Sequence, residues 1–199
     1  ARFYSAHFCF TLGQFAVEVP HDPNYYFHGE EISIGVRAFT HGYDLFHPHR
    51  VFSWHEYTRK GSVKQWDDDP IWVTRNNISH KRNRQLFEMD GEARTEHFGV
   101  YDFGTERTLA EYESYAGISF KKRGVQKYTL DNNYAPNPVI EDFDEYQNSF
   151  SQIFKHCIDV AYTQVPYDDY TFWAVAFEDE RGNELYRRDA DESEIRMMK

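Results

Sequence analysis

Histidine, glycine and two glutamates stand in succession at His28-Gly29-Glu30-Glu31, and a further histidine, His55, closes the stretch that begins at Tyr25. Paired carboxylates beside a glycine can receive the hydroxyls of a polar substrate, and one of them can act as a base. The glycine lets a backbone or a ligand come close. His28 offers a ring face to a sugar, with an exposed-loop histidine as the alternative. Seven of the ten histidines (His7, His21, His28, His41, His47, His49 and His55) precede residue 56. Imidazoles bind Zn, Mn or Ni readily, so His47-Pro48-His49 invites comparison with a metal clip, but neither a cysteine pair nor a His-Glu helix accompanies it.

The elements that must position these groups can be read from spacing. Ile32, Val36, Phe39 and Tyr43 recur on a helical period, while Glu31, Ser33 and Arg37 fall on other faces. Glu30 and Glu31 then lie in the first turn, where free N–H groups and the positive dipole end favour ionised carboxylates. An acidic turn facing solvent is the plainer reading of the same pattern. Gly42 is placed to leave the helix in a left-handed conformation. Val51-Phe52-Ser53-Trp54 reads as an apolar strand that carries His55 to the rim of a sheet, where α/β proteins gather ligands. The alternative is a strand-end histidine paired with Glu56 or Tyr57.

His28 to Ile34, Val36-Arg37, Phe39 to Asp44, Pro48 and Val51 to His55 together resemble a block of the metal-dependent GlcNAc-transferase family. That family includes cytoplasmic enzymes that attach N-acetylglucosamine to hydroxyproline of a protein. The block is similar, more distantly, to the Gly-Glu-Asn motif of polypeptide N-acetylgalactosaminyltransferases. Phe15 to Pro23 also resembles the approach to the block, and the run through Ile118-Ser119-Phe120 extends the similarity to residues 10–123.

The resemblance implies a retaining transferase that uses UDP-GlcNAc as donor and a protein or glycan hydroxyl as acceptor. It implies Glu30 and Glu31 as catalytic residues, His28 and Gly29 against substrate, and His55 as a ligand of Mn²⁺ (or Mg²⁺), which stabilises the leaving diphosphate. The implied fold is α/β, the C-terminal part of a GT-A-like nucleotide-sugar domain. In such a domain an Asp-x-Asp pair ends a hydrophobic strand. Asp67-Asp68-Asp69 instead follows Lys64-Gln65-Trp66 and precedes Pro70, which reads as a solvated acidic loop. Together with a start inside an aromatic strand, Phe3 to Phe10, this predicts that an upstream donor-binding part is missing and that the fragment is inactive alone.

Composition bounds the rest. The 199 residues, 40% hydrophobic, suffice for one core plus a small module. A net charge of −11 argues against generic nucleic-acid binding, which needs clustered Lys and Arg. No apolar run is long enough to span a membrane, and the first residues show no recognisable signal peptide. Cys9 and Cys157 lie far apart and read as free thiols of a reducing compartment, in keeping with a cytoplasmic enzyme.

After residue 55 the chain reads as a long polar excursion with a helix over Ile78 to Phe87 and a Lys81-Arg82-Asn83-Arg84 cluster. The cluster is either a solvated helix face or a contact for an acidic peptide or phosphate. Thr108 to Glu111 has the spacing of a capping box, and Leu109, Tyr112 and Ala116 form a stripe ended by Gly117. Arg107 is expected to pair with Glu111, or to reach a diphosphate.

The expected domains are 1–130, transferase; 131–149, linker, with Asn132-Asn133 and Pro136-Asn137-Pro138; and 150–199, an antiparallel, sandwich-like module. In the last, Phe154, His156, Ile158 and Val160 form one face, and Glu180-Arg181-Gly182-Asn183 turns a hairpin. Asp168-Asp169 and Glu178-Asp179-Glu180 read as solvated turns rather than a Ca²⁺ site. Two rivals to the transferase stand: a non-catalytic β-rich carbohydrate- or protein-binding module, and a hydrolase in which His47, His49 and His55 share one ion.

Overall fold

The computed structural model describes residues 1–51, 53–55, 63–132, 134–152, 174–178, 180–182 and 184–189. The chain divides into two compact units, Ala1–Phe154 and Lys155–Lys199. In the first, α1 (Gly13–Glu18), α2 (Glu30–Thr40), α3 (Trp72–Leu86), α4 (Leu109–Ala116), α5 (Lys127–Leu130) and α6 (Phe143–Asn148) surround a small antiparallel sheet. Its strands, β1 (Ile118–Ser119), β2 (Gly124–Val125) and β3 (Ser151–Gln152), lie in that order.

Helix α2 is the centre of this unit, and every residue from Ser33 to Thr40 is buried. Val36 and Phe39 enter the main core with Leu86, Phe87, Tyr112, Ala116 and Phe120. The Phe87 and Phe120 rings stack 4.1 Å apart, and Tyr112 lies edge-on to Phe39. Burial of Tyr112 is matched by its hydroxyl donating to the Arg2 carbonyl at 2.7 Å, because a desolvated hydroxyl without a partner is costly.

The helix ends as its sequence predicts. Gly42, at φ 90°, follows His41; its N–H donates to Phe39 O and that of Tyr43 to Ala38 O, the paired bonds of a Schellman motif. Tyr43 therefore stands beyond the helix rather than on its stripe. Segment 104–107 covers the same end: Gly104 N–H donates to Thr40 Oγ1 at 2.9 Å, and Glu106 and Arg107 donate to Thr40 O. A Cβ at residue 104 would lie 2.5 Å from that carbonyl, so glycine is required by the approach. Helix α4 carries the expected capping box between Thr108 and Glu111, and Gly117 ends it at φ 66°.

Several expectations are corrected. Phe3 to Phe10 is not a strand: its backbone runs through a bend, a turn and irregular structure, and Phe8 and Phe10 are exposed. Among the described residues of 51–55 there is no strand either, and Val51 and Trp54 face solvent. Alternating aromatic residues hold a strand only when a second backbone satisfies their N–H and C=O groups.

Helix α3 starts six residues earlier than the 78–87 expectation, at Trp72. Arg82 is not on a solvated face but buried, with its Nε 2.6 Å from Asp22 Oδ2 and Nη1 2.7 Å from Glu96. Arg107 pairs with Asp44 at 2.9 Å, not with Glu111, because the chain leaving α2 passes beneath its guanidinium. Segment 131–149, expected to link two modules, carries α6 and is tied to the first unit: Arg2 donates to Tyr134 O and Ala135 O, and Gln126 to Tyr146 O.

In the second unit β4 (Ala174–Glu178) pairs antiparallel with β5 (Glu184–Asp189), with Ala176 opposite Arg187. Gly182, at φ 80°, lies in the turn between them, as the hairpin signal predicts. The proposed faces at Phe154 to Val160 and Asp168-Asp169 lie outside the described residues.

Candidate functional site

The two glutamates stand on the first turn of α2, where Gly29 forms the N-cap at φ 98°. Glycine is needed there twice over: the backbone is left-handed, and a Cβ would lie 2.4 Å from Asn83 Nδ2. Asn83 accepts from the Tyr25 hydroxyl at 2.6 Å and donates to Gly29 O at 3.2 Å, so α3 fixes the turn that presents Glu30. Burial pushes the Tyr25 hydroxyl up to about 12, which keeps it a neutral donor. Ser79 accepts from Tyr26 N–H at 2.8 Å, and the Arg82 pair with Asp22 secures the start of the same turn.

Glu31 faces a different neighbour. Its Oε1 accepts from Ala6 N–H at 2.7 Å and lies 4.0 Å from His7 Nδ1. The His7 ring meets the ring of His55 edge-on, with centroids 4.2 Å apart. One helical turn along α2, Gly35 lets Tyr4 cross: a Cβ there would meet the Tyr4 backbone at 3.3 Å. Burial and the neighbouring Cys9 raise the Tyr4 hydroxyl to about 12. Cys9 itself is a free, exposed thiol.

Two sequence-predicted residues, Glu31 and His55, therefore come together through His7, whose role has no local sequence signal. Glu30 is half-buried in the same turn and accepts no hydrogen bond among the described residues. His28 turns to α3, where its Nδ1 lies 2.8 Å from Asn76 Oδ1 and its ring stacks on His80. Gly29 forms the turn between His28 and Glu30 and is half-buried.

Beside His7 a cleft of about 620 Å³ runs between residues 3–11 and 43–53, lined by Phe3, Tyr4, Phe8, Cys9, Phe46 and His47 among others. Its mixture of rings, imidazoles and a thiol is suited to a partly apolar ligand.

A divalent cation needs several oxygen or imidazole donors around one point. Among the described residues no group of three His, Cys, Asp or Glu side chains provides that, so they do not fit a complete Mn²⁺ or Mg²⁺ site. The same finding removes the hydrolase rival, which required His47, His49 and His55 on one ion. Asp67-Asp68-Asp69 forms local turns: Asp67 accepts from Lys64 N–H, and Asp69 accepts from Ile71 N–H and pairs with Arg75. Among the described residues no helix is long and apolar enough to cross a membrane.

No curated protein and no solved structure matches the chain. Residues 1–122 match the family described as Glycosyltransferase (GlcNAc), a span that holds α2 with its two glutamates, His7, His55, α3 and α4. As that match takes in more than half of the 199 residues, the chain belongs to the GlcNAc glycosyltransferase family.

Proposed function

We propose that the chain takes part in the transfer of N-acetylglucosamine from UDP-GlcNAc to a protein or glycan hydroxyl, with retention at the anomeric carbon, on a GT-A-like scaffold. Family membership supports the transferase. The finer reading rests on one observation: Glu31 and His55 meet at His7, beside the turn that presents Glu30. In the reaction the anomeric carbon exchanges its bond to the diphosphate oxygen for one to the acceptor oxygen. UDP leaves with the electron pair, and the acceptor hydroxyl loses its proton.

Glu30 is the carboxylate available for this work, because Glu31 already holds Ala6 and His7. A carboxylate accepts strong hydrogen bonds from sugar or acceptor hydroxyls, orienting them for attack. Mn²⁺ or Mg²⁺ dependence is also proposed, with His55 as one imidazole ligand. A cytoplasmic setting is proposed from the free thiol of Cys9.

A second reading, a non-catalytic carbohydrate- or protein-binding module, is favoured by the exposure of Phe10, Phe46 and Trp54, at 91%, 85% and 85%. Measuring UDP release from UDP-GlcNAc by the longest natural form of the chain, with Mn²⁺ or with a chelator, separates the two. The transferase reading predicts turnover that Glu30→Gln lowers at least about tenfold, or 1.4 kcal/mol, and whose metal response is lost in His55→Ala. Sugar binding without turnover, unchanged in Glu30→Gln, would establish the binding module instead.

A further inference from the structure

The turn before Glu30 carries a second cluster, built with α3 and the loop before it. Trp66 lies edge-on to Phe27, with ring centroids 5.4 Å apart, and 6.3 Å from Trp72. Phe27 and Trp72 are each 37% exposed. Beside these rings, Asn76 bridges the stacked pair His28 and His80: its Oδ1 lies 2.8 Å from His28 Nδ1, and its Nδ2 lies 3.2 Å from His80 Nε2.

The amide sets the proton positions. With the Asn76 oxygen as acceptor, His28 donates through Nδ1, and in the neutral imidazole Nε2 is left to accept. The cations at the cluster are already engaged. Arg75 pairs with Asp69 at 3.1 Å and lies over Tyr26, and Lys64 lies over Trp66. This arrangement does not call for a phosphate or carboxylate, each of which would want a cation committed to it.

A neutral pyranose has the complementary chemistry. Its C–H face carries slight positive charge and packs on the electron-rich face of an aromatic ring, while its edge presents hydroxyls that both donate and accept. We propose that Phe27, His28, Trp66, Trp72 and Asn76 bind a neutral sugar chain. The Phe27, Trp66 and Trp72 rings supply the platform, and the amide–imidazole pair reads the hydroxyls. This makes the acceptor of the transferase a glycan, a statement that rests on the transferase reading only in the word acceptor. His28 of the cluster precedes Glu30 by a single glycine, on the turn that leads into α2.

The test uses the full chain without nucleotide, titrated with a β-linked GlcNAc trisaccharide and with cellotriose. Tryptophan fluorescence and saturation-transfer NMR on the sugar protons are the readouts. Saturable binding with a Kd of about 1 mM is expected for at least one sugar, weakened tenfold or more by both Trp72→Ala and Asn76→Ala. Asn76→Ala, at a half-buried helix position, keeps the test open if Trp72→Ala does not fold. Lack of saturable binding to either sugar, or unchanged binding in Asn76→Ala, overturns the proposal. Failure here with UDP-GlcNAc turnover intact discards only the glycan acceptor and points to a protein hydroxyl. Sugar binding without turnover retains the site and discards the transferase.

Discussion

Helix α2 is gripped on one flank by α3 and the turn before Glu30, and crossed on another by residues 4–7. On the first flank Arg37 and Arg82 are almost wholly buried. Arg37 donates to Pro20 O and Val100 O at 2.8 and 3.1 Å, and burial pulls its pKa down against the pull of Asp22 and Tyr25. On the second, Glu31 and His7 keep 44% and 48% of their side chains exposed and meet at 4.0 Å. Charges taken out of water must be matched in place, so the first flank has one geometry. Groups that remain hydrated can exchange a protein partner for a ligand at little cost, and Glu31 and His7 on the second flank are such groups.

The contrast can be broken most forcefully at Arg82. Arg82→Ala leaves the buried Asp22 carboxylate without its ionic partner, with only Asn24 donating to it, and a loss of about 3–5 kcal/mol is expected from urea unfolding. Glu31→Gln on the open flank should cost under about 1 kcal/mol, since both of its partners are partly hydrated. Equal losses at the two positions would erase the distinction between the flanks.

Gly29→Ala comes next. It forces a side chain onto a left-handed backbone and against Asn83, and about 2 kcal/mol is expected. Pairing it with Asn83→Ala should recover part of that loss in a double-mutant cycle, because the clash partner is gone while the backbone strain stays.

Away from both flanks the effects shrink. Thr108→Ala removes the cap of α4 and should lower stability by about 1 kcal/mol. The smallest effect is that of pH on the same box. Hydrogen bonds from the Thr108 N–H and then its hydroxyl hold the Glu111 carboxyl below the usual glutamate range. A carboxyl depressed in the native state stabilises fully above its unfolded pKa, and this contribution is lost as pH falls through the native one. Glu111→Gln should flatten that acid limb in thermal melts without moving the rest of the profile.

What the sequence reveals follows the distance over which each interaction acts. The first turn of α2, Gly42 as its exit and the Thr108 box depend on residues within five positions of one another, and all can be read directly. The pairing of Arg82 with Asp22 closes 60 residues of chain. Seen alone, Lys81-Arg82-Asn83-Arg84 looks like a hydrated helix face, although two of its four members hold the site turn.

Phe3 to Phe10 has the pattern of a strand, but alternation records only which residues are apolar, not whether a partner strand exists. For the candidate site, Glu30, Glu31 and His55 are legible through their types and order. His7 is not, because its importance comes from an encounter with residues more than twenty positions away. Asn76 and Asn83 are equally silent, each being an ordinary polar helix residue until the turn before Glu30 folds onto them.

The most direct measurement is calorimetric titration of UDP-GlcNAc into the longest natural form of the chain in the presence of Mn²⁺, beside Glu30→Gln and Glu31→Gln. The proposed site predicts saturable binding that Glu30→Gln weakens at least about tenfold, 1.4 kcal/mol, with its melting temperature unchanged and with a smaller effect from Glu31→Gln. A chain that binds no UDP-GlcNAc, or a Glu30→Gln variant that binds it as the parent does, would contradict the placement of the transferase site at the start of α2.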